Sequence, residues 1–410
     1  MKNIKELTEY CLGCINKPCQ KACPLHNDIP EFIRLAKEEK FEEAYKVLCK
    51  TTVLPSVCGR ICPHLKQCEG RCTRKYKGSP VDIGTIEYQI GDMAIEKNFR
   101  MPKTKKLKNK KVALIGGGPA SLSCAAFLRY EGIDVTIYEK HDYLGGLLSH
   151  GIPDFRLPRD VLKKSIDRII SLGIKVEYNK ELGKNLSIDE LLENYDAIFL
   201  GIGANISNTP HIPNIKLEGV LGANNILETK EFPNFEGKKV IVNGGGNVAL
   251  DIARTLKRQK AKVSICYRKE REKMKAEIKE IEAAEDEKIN IITNTNIVAV
   301  NGKSHVENVE CMKTKTVDDK ILNIEDSNFY IECDYLINAI GSLADTKLLR
   351  KLKLKTTKYK KLNIDENYQT NNPKIFAAGD IAGIRATVAW ASSSGINAAK
   401  SILKYLEKKD

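Results

Sequence analysis

Nine of the thirteen cysteines lie before residue 73, and eight of these nine form two groups of four. We expect a cytosolic protein, and clustered thiols in such a protein indicate metal ligation, because cytosolic proteins seldom keep structural disulfides. A run of four cysteines that ends in Cys-Pro is typical of iron–sulfur clusters, whereas zinc sites favour separated pairs of cysteines. We therefore favour two [4Fe–4S] clusters over two zinc sites, with eight candidate thiolates: Cys11, Cys14, Cys19, Cys23, Cys58, Cys62, Cys68 and Cys72.

A glycine turn between a strand and a helix forms a second candidate site, at residues 111–139. The apolar run 112–115 predicts a buried parallel strand, and a helix follows the turn Gly116–Gly118. Glycine lets the backbone approach a pyrophosphate closely, and the helix N-terminus offers it free N–H groups. Glu139 follows the next strand, Asp134–Tyr138, where a carboxylate can accept ribose hydroxyls. Pro119 and Ala120 after the turn look like the FAD-binding form of this unit, with Ser121 in place of the third glycine.

A second strand–turn–helix unit starts at Lys239 and holds Gly244, Gly246 and Asn247 in its turn. Its second strand ends in a basic segment. Cations there would pair with a 2′-phosphate, which a carboxylate would repel, so this unit should prefer NADPH. Glu270 leaves NADH as an alternative. The proposed phosphate-binding side chains are Arg268, Lys269 and Arg271.

Three further short segments are candidates for contact with the flavin. Gly146 and Leu147 lie in a glycine- and proline-rich loop that could wrap the cofactor. Gly379 and Asp380 end a buried strand, where a carboxylate could accept a ribityl hydroxyl. Thr387 and Val388 begin an Ala-, Ser- and Gly-rich helix, whose first-turn N–H groups could face the electron-rich end of the flavin ring.

These patterns divide the 410 residues into a helical iron–sulfur domain and two Rossmann-like nucleotide-binding domains. We place the iron–sulfur domain at 1–102 and the FAD-binding domain at 103–226 and 346–410. The NAD(P)H-binding domain is inserted between those two parts, at 227–345. The predicted class is α/β, of the glutathione reductase and thioredoxin reductase type.

Composition excludes some functions. The net charge is +14, but the single Trp and the lack of basic runs interleaved with aromatics disfavour nucleic acid as a partner. The sequence has no run of about 18 uncharged apolar residues, so we expect no membrane association and a cytoplasmic protein. We find no catalytic triad or carboxylate pair, and bound cofactors would therefore carry the chemistry.

The cysteine domain, the 116–121 turn with Glu139 and the FAAGD segment before the last helix together resemble one family over residues 4–405. This is the small subunit of bacterial NADPH-dependent glutamate synthase, with the large subunit of ferredoxin–NADP transhydrogenase and the flavin subunit of dihydropyrimidine dehydrogenase as relatives. The resemblance implies FAD, NADPH and two [4Fe–4S] clusters. It implies one ligand set of Cys11, Cys14, Cys19 and Cys72, and another of Cys23, Cys62, Cys68 and Glu87, where spacing alone nominates Cys58.

The resemblance also implies a function. NADPH would deliver a hydride to the flavin, and single electrons would pass through both clusters to a larger catalytic subunit or a ferredoxin-type carrier, in a hetero-oligomer. The alternatives are the flavin subunit of an NAD-dependent dihydropyrimidine dehydrogenase or of an electron-bifurcating transhydrogenase. From a different class, a non-catalytic iron–sulfur adaptor that docks a partner enzyme remains open.

Overall fold

The computed structural model describes residues 3–228, 233–318 and 320–408, and the chain divides into two compact units. The first unit comprises Met1–Ser149, Asp154–Ala204 and Ala344–Asp410. The second unit comprises Asn205–Leu343 together with the short segment His150–Pro153. The cysteine-rich part and the first glycine turn therefore belong to the same unit.

The N-terminal part of the first unit is helical. The stretch from Ile29 to Cys49 forms two helices, because Glu39 between them has a φ of +59°. Phe32 and Leu48 of these helices are fully buried. The helices are α1 Ile4–Glu9, α2 Pro18–Ala22, α3 Ile29–Lys37, α4 Phe41–Cys49, α5 Pro55–Ile61 and α6 Ile83–Glu96, with 3-10 turns at His64–Lys66, Glu69–Arg71 and Thr73–Lys77.

The rest of the first unit is built on a five-stranded parallel sheet. Its strand order is β16-β4-β1-β2-β3, so the central strand β1 is the one that enters the first glycine turn. The strands are β1 Lys111–Ile115, β2 Asp134–Tyr138, β3 Lys175–Glu177, β4 Ala197–Leu200 and β16 Ile375–Ala377. The helices are α7 Pro119–Tyr130, α8 Leu147–His150, α9 Arg159–Ile170, α10 Ile188–Asn194, α14 Thr346–Lys351 and α15 Val388–Glu407, with a 3-10 turn at Gly379–Ala382.

The second unit repeats this plan with a parallel sheet in the order β6-β14-β7-β8-β9 and adds an antiparallel sheet of β10 to β13. β5 pairs with β15 where the chain enters and leaves the unit. The strands are β5 Ile206–Ser207, β6 Val220–Gly222, β7 Lys239–Asn243, β8 Lys262–Cys266, β9 Asn290–Ile292, β10 Thr295–Asn301, β11 Asn308–Val317, β12 Lys320–Asn323, β13 Phe329–Glu332, β14 Tyr335–Asn338 and β15 Ser342–Leu343. The helices are α11 Ala223–Glu228, α12 Asn247–Arg258 and α13 Ile278–Asp286, with a 3-10 turn at Arg271–Lys273.

The second unit begins about twenty residues earlier than the boundary we drew at 226/227. Val220–Gly222 forms β6, which pairs in register with Leu336–Asn338 of β14. The segment that begins at residue 205 therefore belongs to the second unit, although its sequence carries no glycine turn that would assign it there. At the other end, the division at 343/344 lies two residues from the predicted 345/346.

Alternating apolar side chains of these strands are buried on the two opposite faces of the sheet, and this burial explains why the strands form. In the second unit, Val240, Val242 and Ile337 pack with α12 on one face, while Ile241 and Leu336 pack with β10 and β11 on the other. Strands buried on both faces read as continuous apolar runs, as both glycine-turn units do. Among the described residues, no helix is long and apolar enough to cross a membrane.

Candidate cofactor sites

The first glycine turn joins β1 to α7. Gly116 has a φ of +90°, and a Cβ there would lie 2.8 Å from the Gly201 carbonyl oxygen, so only glycine fits. Gly118 is the N-cap of α7, and a Cβ on it would meet nothing closer than 4.0 Å. The turn thus leaves open space in front of the first N–H groups of α7, as a bound pyrophosphate requires.

Glu139 is buried and its carboxylate contacts the same turn. Its Oε2 accepts the Gly117 N–H at 2.6 Å, and its Oε1 accepts the His141 N–H at 2.9 Å. Each carboxylate oxygen can accept more than one hydrogen bond, so these contacts leave capacity for ribose hydroxyls. The backbone bonds hold the carboxylate beside the glycine turn, where the sequence predicted it.

Ser121 lies where the third glycine of the motif is usual, a position at which glycine allows close packing of helix and strand. Its side chain is fully buried, and its Oγ has no hydrogen-bond partner in the described part of the chain. A Cβ on Gly201, just after β4, would lie 2.1 Å from this Oγ. The missing glycine of the helix is therefore compensated by a glycine on the opposing chain segment.

The loop at residues 144–147 packs directly on the first glycine turn. The Gly145 N–H donates to the Gly117 carbonyl oxygen at 2.8 Å. Gly146 has a φ of +54°, and a Cβ on it would lie 3.2 Å from the Gly118 Cα. Leu147, the first residue of α8, follows immediately, and the predicted wrapping loop thus borders the turn.

The C-terminal segment also contacts the start of α7. Gly379 has a φ of +75°, and a Cβ on it would lie 3.2 Å from the Ala120 Cβ. Thr387 caps α15, accepting the Trp390 N–H at 3.3 Å, and Val388 begins the helix. Burial raises the pKa of Asp380, and the positive charge of Lys361 partly offsets this rise. A partly buried carboxyl group beside Gly379 has the chemistry to accept a ribityl hydroxyl.

In the second unit, the turn Gly244–Gly246 joins β7 to α12. Gly244 has a φ of +148°, and a Cβ on it would lie 2.4 Å from the Ala339 carbonyl oxygen. A Cβ on Gly246, the N-cap of α12, would meet nothing within 4 Å. Asn247 accepts the Glu277 N–H at 2.9 Å. This turn has the same open N-terminal cradle as the first.

The basic segment after β8 divides into bound and free cations. Arg271 forms a bidentate pair with Glu285, at 2.6 and 2.5 Å. Arg268 is exposed, and in the described part of the chain the side chains of Arg268 and Lys269 make no hydrogen bond or ion pair. The Tyr267 ring covers Gly245, whose Cβ would lie 2.5 Å from it. Arg268 and Lys269 are therefore better placed for a 2′-phosphate than Arg271.

Four thiols from both ends of the cysteine-rich domain line one pocket in the first unit: Cys11, Cys14, Cys19 and Cys72. They share it with apolar side chains of α3 and with Val81 and Ile83. Burial raises the pKa of Cys19 to about 11, so without metal its thiol is neutral. This set, which we call the outer thiols, is the first ligand set that the family resemblance implied.

A second set surrounds Glu87 of α6. Burial raises the pKa of Glu87 to about 8. Burial also raises the pKa of Cys23, and the neighbouring Glu87 and Cys58 add to this shift. The neighbouring Cys58 thiol, together with burial, raises the pKa of Cys62 well above its usual value. Cys68 lies near Cys23 and Glu87. Cys58 and Glu87 both border this set, so the choice of eighth ligand stays a prediction.

Both thiol sets suit iron–sulfur clusters in donor chemistry. All thirteen cysteines are free thiols, and thiolate ligation would release the protons that burial retains. Within residues 3–228, 233–318 and 320–408, no three His, Cys, Asp or Glu side chains converge on a position for a single metal ion.

Several polar contacts at these sites have no signal in the sequence. Asn27 Nδ2 donates to Glu87 Oε1 at 3.3 Å, and Asn27 Oδ1 accepts the Thr51 hydroxyl at 2.6 Å. The Gly379 N–H donates to Ser394 Oγ at 3.1 Å. The partners in these bonds are 15 to 60 residues apart, and each residue type is common at surfaces.

Comparison with known proteins identifies the family. Residues 110–395 match the pyridine nucleotide-disulphide oxidoreductase family, which is more than half of the chain. The chain belongs to that family. Residues 2–99 match a second domain family, described as dihydropyrimidine dehydrogenase domain II, 4Fe-4S cluster.

Full-length relatives place the chain among glutamate synthase small chains. It is 35% identical to the glutamate synthase [NADPH] small chain of Escherichia coli, over 98% of this chain and 91% of the relative. It is 31% identical to that of Azospirillum brasilense, over 100% and 90%. It is also 36% identical to the NADPH-Fe(3+) oxidoreductase subunit beta of Geobacter sulfurreducens, over 81% and 52%. The chain is thus a pyridine-nucleotide flavin oxidoreductase of the glutamate synthase small-chain type with a 4Fe-4S domain.

Solved structures agree on the fold. The chain is similar to FprA of Mycobacterium tuberculosis in complex with NADPH, with a TM-score of 0.62 at 16% identity, over 73% of this chain and 85% of that one. The thioredoxin reductase of T. acidophilum matches with a TM-score of 0.57 at 19% identity, over 74% and 100%. The predicted α/β class with a reductase-type pair of nucleotide-binding domains is confirmed.

Proposed function

We propose that this chain is the NADPH-oxidising subunit of a larger enzyme, and that it passes electrons from NADPH through FAD and two [4Fe–4S] clusters to a partner. The observation that carries the proposal is that the four outer thiols line one pocket, in the same unit as the first glycine turn. A pyridine-nucleotide reductase that only reduced a small molecule would not need a pocket of thiols outside its nucleotide-binding domains.

We assign the flavin to the first unit. The N–H groups of the 116–121 turn and of the α7 N-terminus would bind the pyrophosphate, and Glu139 would accept the adenosine ribose hydroxyls. Gly146 and Leu147 would border the bound cofactor, Asp380 would accept from the ribityl chain, and the Thr387–Val388 start of α15 would present N–H groups to the ring.

We assign NADPH to the second unit. Gly244, Gly246 and Asn247 would bind its pyrophosphate at the α12 N-terminus, and Arg268 with Lys269 would pair with the 2′-phosphate. Arg271 is already paired with Glu285, so it would contribute less than Arg268 and Lys269 to binding the 2′-phosphate. When bound, the nicotinamide and flavin supply hydride transfer and the clusters supply single-electron transfer.

We assign the ligands as the family resemblance implied: Cys11, Cys14, Cys19 and Cys72 for one cluster, and Cys23, Cys62, Cys68 and Glu87 for the other. Relatives are named as subunits of glutamate synthase, of NADPH-Fe(3+) oxidoreductase and of NADP(+)-dependent formate dehydrogenase. We therefore propose a larger catalytic subunit of this kind as partner, or a ferredoxin-type carrier, and a cytoplasmic location.

The proposal is tested by anaerobic purification followed by steady-state oxidation of NADPH with ferricyanide as acceptor. We expect one FAD and about eight irons per chain, and turnover that depends on NADPH. A protein that binds iron but neither binds FAD nor oxidises NADPH would be the docking adaptor instead. A protein that holds zinc would contradict the cluster assignment.

A further inference from the structure

The two thiol sets differ in their exposure to solvent. Cys23, Cys62 and Cys68 are buried, with exposed fractions of 8%, 6% and 5%. Three of the outer thiols, at Cys11, Cys14 and Cys72, are only partly buried. A protein partner can approach closely only a group that lies at the surface, so the outer thiols are the ones that a partner could reach.

The loop that carries two outer thiols also exposes apolar side chains. Ile15 is 99% exposed and Leu12 is 54% exposed. Tyr76, on the 3-10 turn that follows Cys72, is 89% exposed. Fully exposed large apolar side chains beside a functional pocket are typical of protein interaction surfaces.

The loop and the 3-10 turn lie side by side. Cys14 Sγ donates to Thr73 Oγ1 at 3.3 Å. Arg74 Nε donates to the Tyr10 carbonyl oxygen at 2.8 Å, and its guanidinium lies 4.4 Å from the centre of the Tyr10 ring. The two segments that carry the exposed apolar side chains and three of the outer thiols are therefore adjacent at the surface.

This surface is strongly basic. Residues 66–77 contain five Lys or Arg and one acid, Glu69, whose Oε1 accepts the Gly84 N–H at 3.0 Å. Arg71, Lys75 and Lys77 are exposed and make no ion pair in the described part of the chain. We name as the exit patch the side chains Leu12, Ile15, Arg71, Lys75, Tyr76 and Lys77.

We propose that the exit patch is the docking surface for the electron-accepting protein, and that this partner has an acidic rim around an apolar contact. The inference rests on the proposed function and adds where electrons leave the chain. In each transfer this protein would lose one electron and the acceptor's redox centre would gain it, with no bond made or broken. Apolar contacts at Ile15 and Leu12 would hold the complex, while the cations would steer its encounter and select its orientation.

Binding without turnover is the first test. The oxidised holoprotein is passed over immobilised soluble cytochrome b5, an acidic haem protein, and over cytochrome c, a basic one, at low and at high salt. We expect binding to cytochrome b5 that weakens at least about tenfold as salt rises, and none to cytochrome c. Equal binding to both proteins, or binding to cytochrome b5 that salt does not change, would overturn the proposal.

Variants locate the contact on the surface. Lys75→Glu combined with Lys77→Glu should weaken cytochrome b5 binding about tenfold, and Ile15→Ser should weaken it several-fold at any salt concentration. The controls are Lys320→Glu and Tyr330→Ser in the second unit. The first also reverses an exposed charge, and the second also removes exposed apolar surface. If the control variants weakened cytochrome b5 binding and the patch variants did not, the docking surface would lie elsewhere.

The rate at which NADPH reduces sub-saturating cytochrome b5 through this protein distinguishes a failure of the exit patch from a failure of the proposed function. The patch variants should lower kcat/KM for cytochrome b5 about tenfold, while NADPH bleaches their flavin at the wild-type rate. A wild-type protein whose flavin NADPH cannot bleach refutes the proposed function. Normal bleaching with unchanged transfer to cytochrome b5 in the patch variants refutes the exit patch alone.

Discussion

The Gly117 N–H donates to Glu139 Oε2 at 2.6 Å, a bond that ties the residue after β2 to the turn after β1. The bond connects two residues 22 positions apart at the carboxyl edge of adjacent parallel strands. A side chain predicted to bind ribose therefore also orders the backbone that would bind the pyrophosphate.

We predict that Glu139→Gln weakens FAD binding by about tenfold to a hundredfold. An amide has one acceptor oxygen instead of two, so it cannot serve the backbone N–H groups and the ribose hydroxyls together, at a cost of about 1–3 kcal/mol. The measurement is the FAD content after gel filtration, with reconstitution by added FAD. Glu177→Gln, an exposed carboxylate at the end of the neighbouring strand β3, is the control and should keep its FAD. Full FAD retention in Glu139→Gln would show that the carboxylate does not contact the cofactor.

A crossed pair of glycine variants should separate the two nucleotide sites. Gly118 and Gly246 both have negative φ, −77° and −100°, and open space where a side chain would lie, so valine at either should fold. Gly118→Val should abolish FAD binding, because the side chain would fill the pyrophosphate cradle. Gly246→Val should keep FAD but weaken NADPH at least about tenfold. Isothermal titration and FAD content measure the two effects, and loss of FAD from Gly246→Val would contradict the assignment of sites.

The sequence predicts the elements around both glycine turns to within about a residue, because local patterns determine them. Apolar runs specify β1, β2, β7 and β8, and the glycines mark the turns between strand and helix. The break between α3 and α4 is less predictable, because Glu39 is an ordinary helix former that here adopts a positive φ. The boundary at 204/205 was also missed, because it depends on the pairing of β6 with β14, more than 110 residues away.

The site residues show the same division between local and distant information. Glycine positions and the cysteine groups can be read directly from the sequence. The compensation of Ser121 by Gly201, the Asn27 bond to Glu87 and the Arg271 pair with Glu285 all join residues separated by 14 to 80 positions. No local pattern distinguishes these partners from other residues of the same types, so their contacts emerge only when the chain is folded.

The eighth cluster ligand can be decided by two alanine variants. Glu87→Ala should perturb one cluster and lower the iron content to about four to six per chain, while Cys58→Ala should leave about eight. Both side chains are buried beside Cys62 and Cys23, so each alanine variant leaves a cavity in the same buried region. Iron analysis and the visible spectrum after anaerobic preparation provide the readout. The reverse pattern would mean that cysteine spacing was the better guide than the family resemblance.

Nucleotide preference should depend on Arg268 and not on Arg271. Arg268→Ala removes an unpaired cation and should weaken NADPH about tenfold or more, with little effect on NADH, since charge-assisted bonds to phosphate contribute roughly 1.5–3 kcal/mol each. Arg271→Ala is the matched control. Its guanidinium is occupied by Glu285, and we expect less than about a threefold change. Flavin reduction at varied nucleotide concentration measures both. Equal losses of NADPH and NADH affinity in Arg268→Ala would reduce the basic segment to ordinary surface.

The central claim, that this chain takes electrons from NADPH through its flavin, is tested most directly by anaerobic stopped-flow mixing of the holoprotein with NADPH. We expect rapid bleaching of the flavin absorbance at about 450 nm, faster at low concentration with NADPH than with NADH, and abolished in Gly118→Val, which should lack FAD. A holoprotein that contains FAD and iron, yet whose flavin absorbance NADPH leaves unchanged, would contradict it.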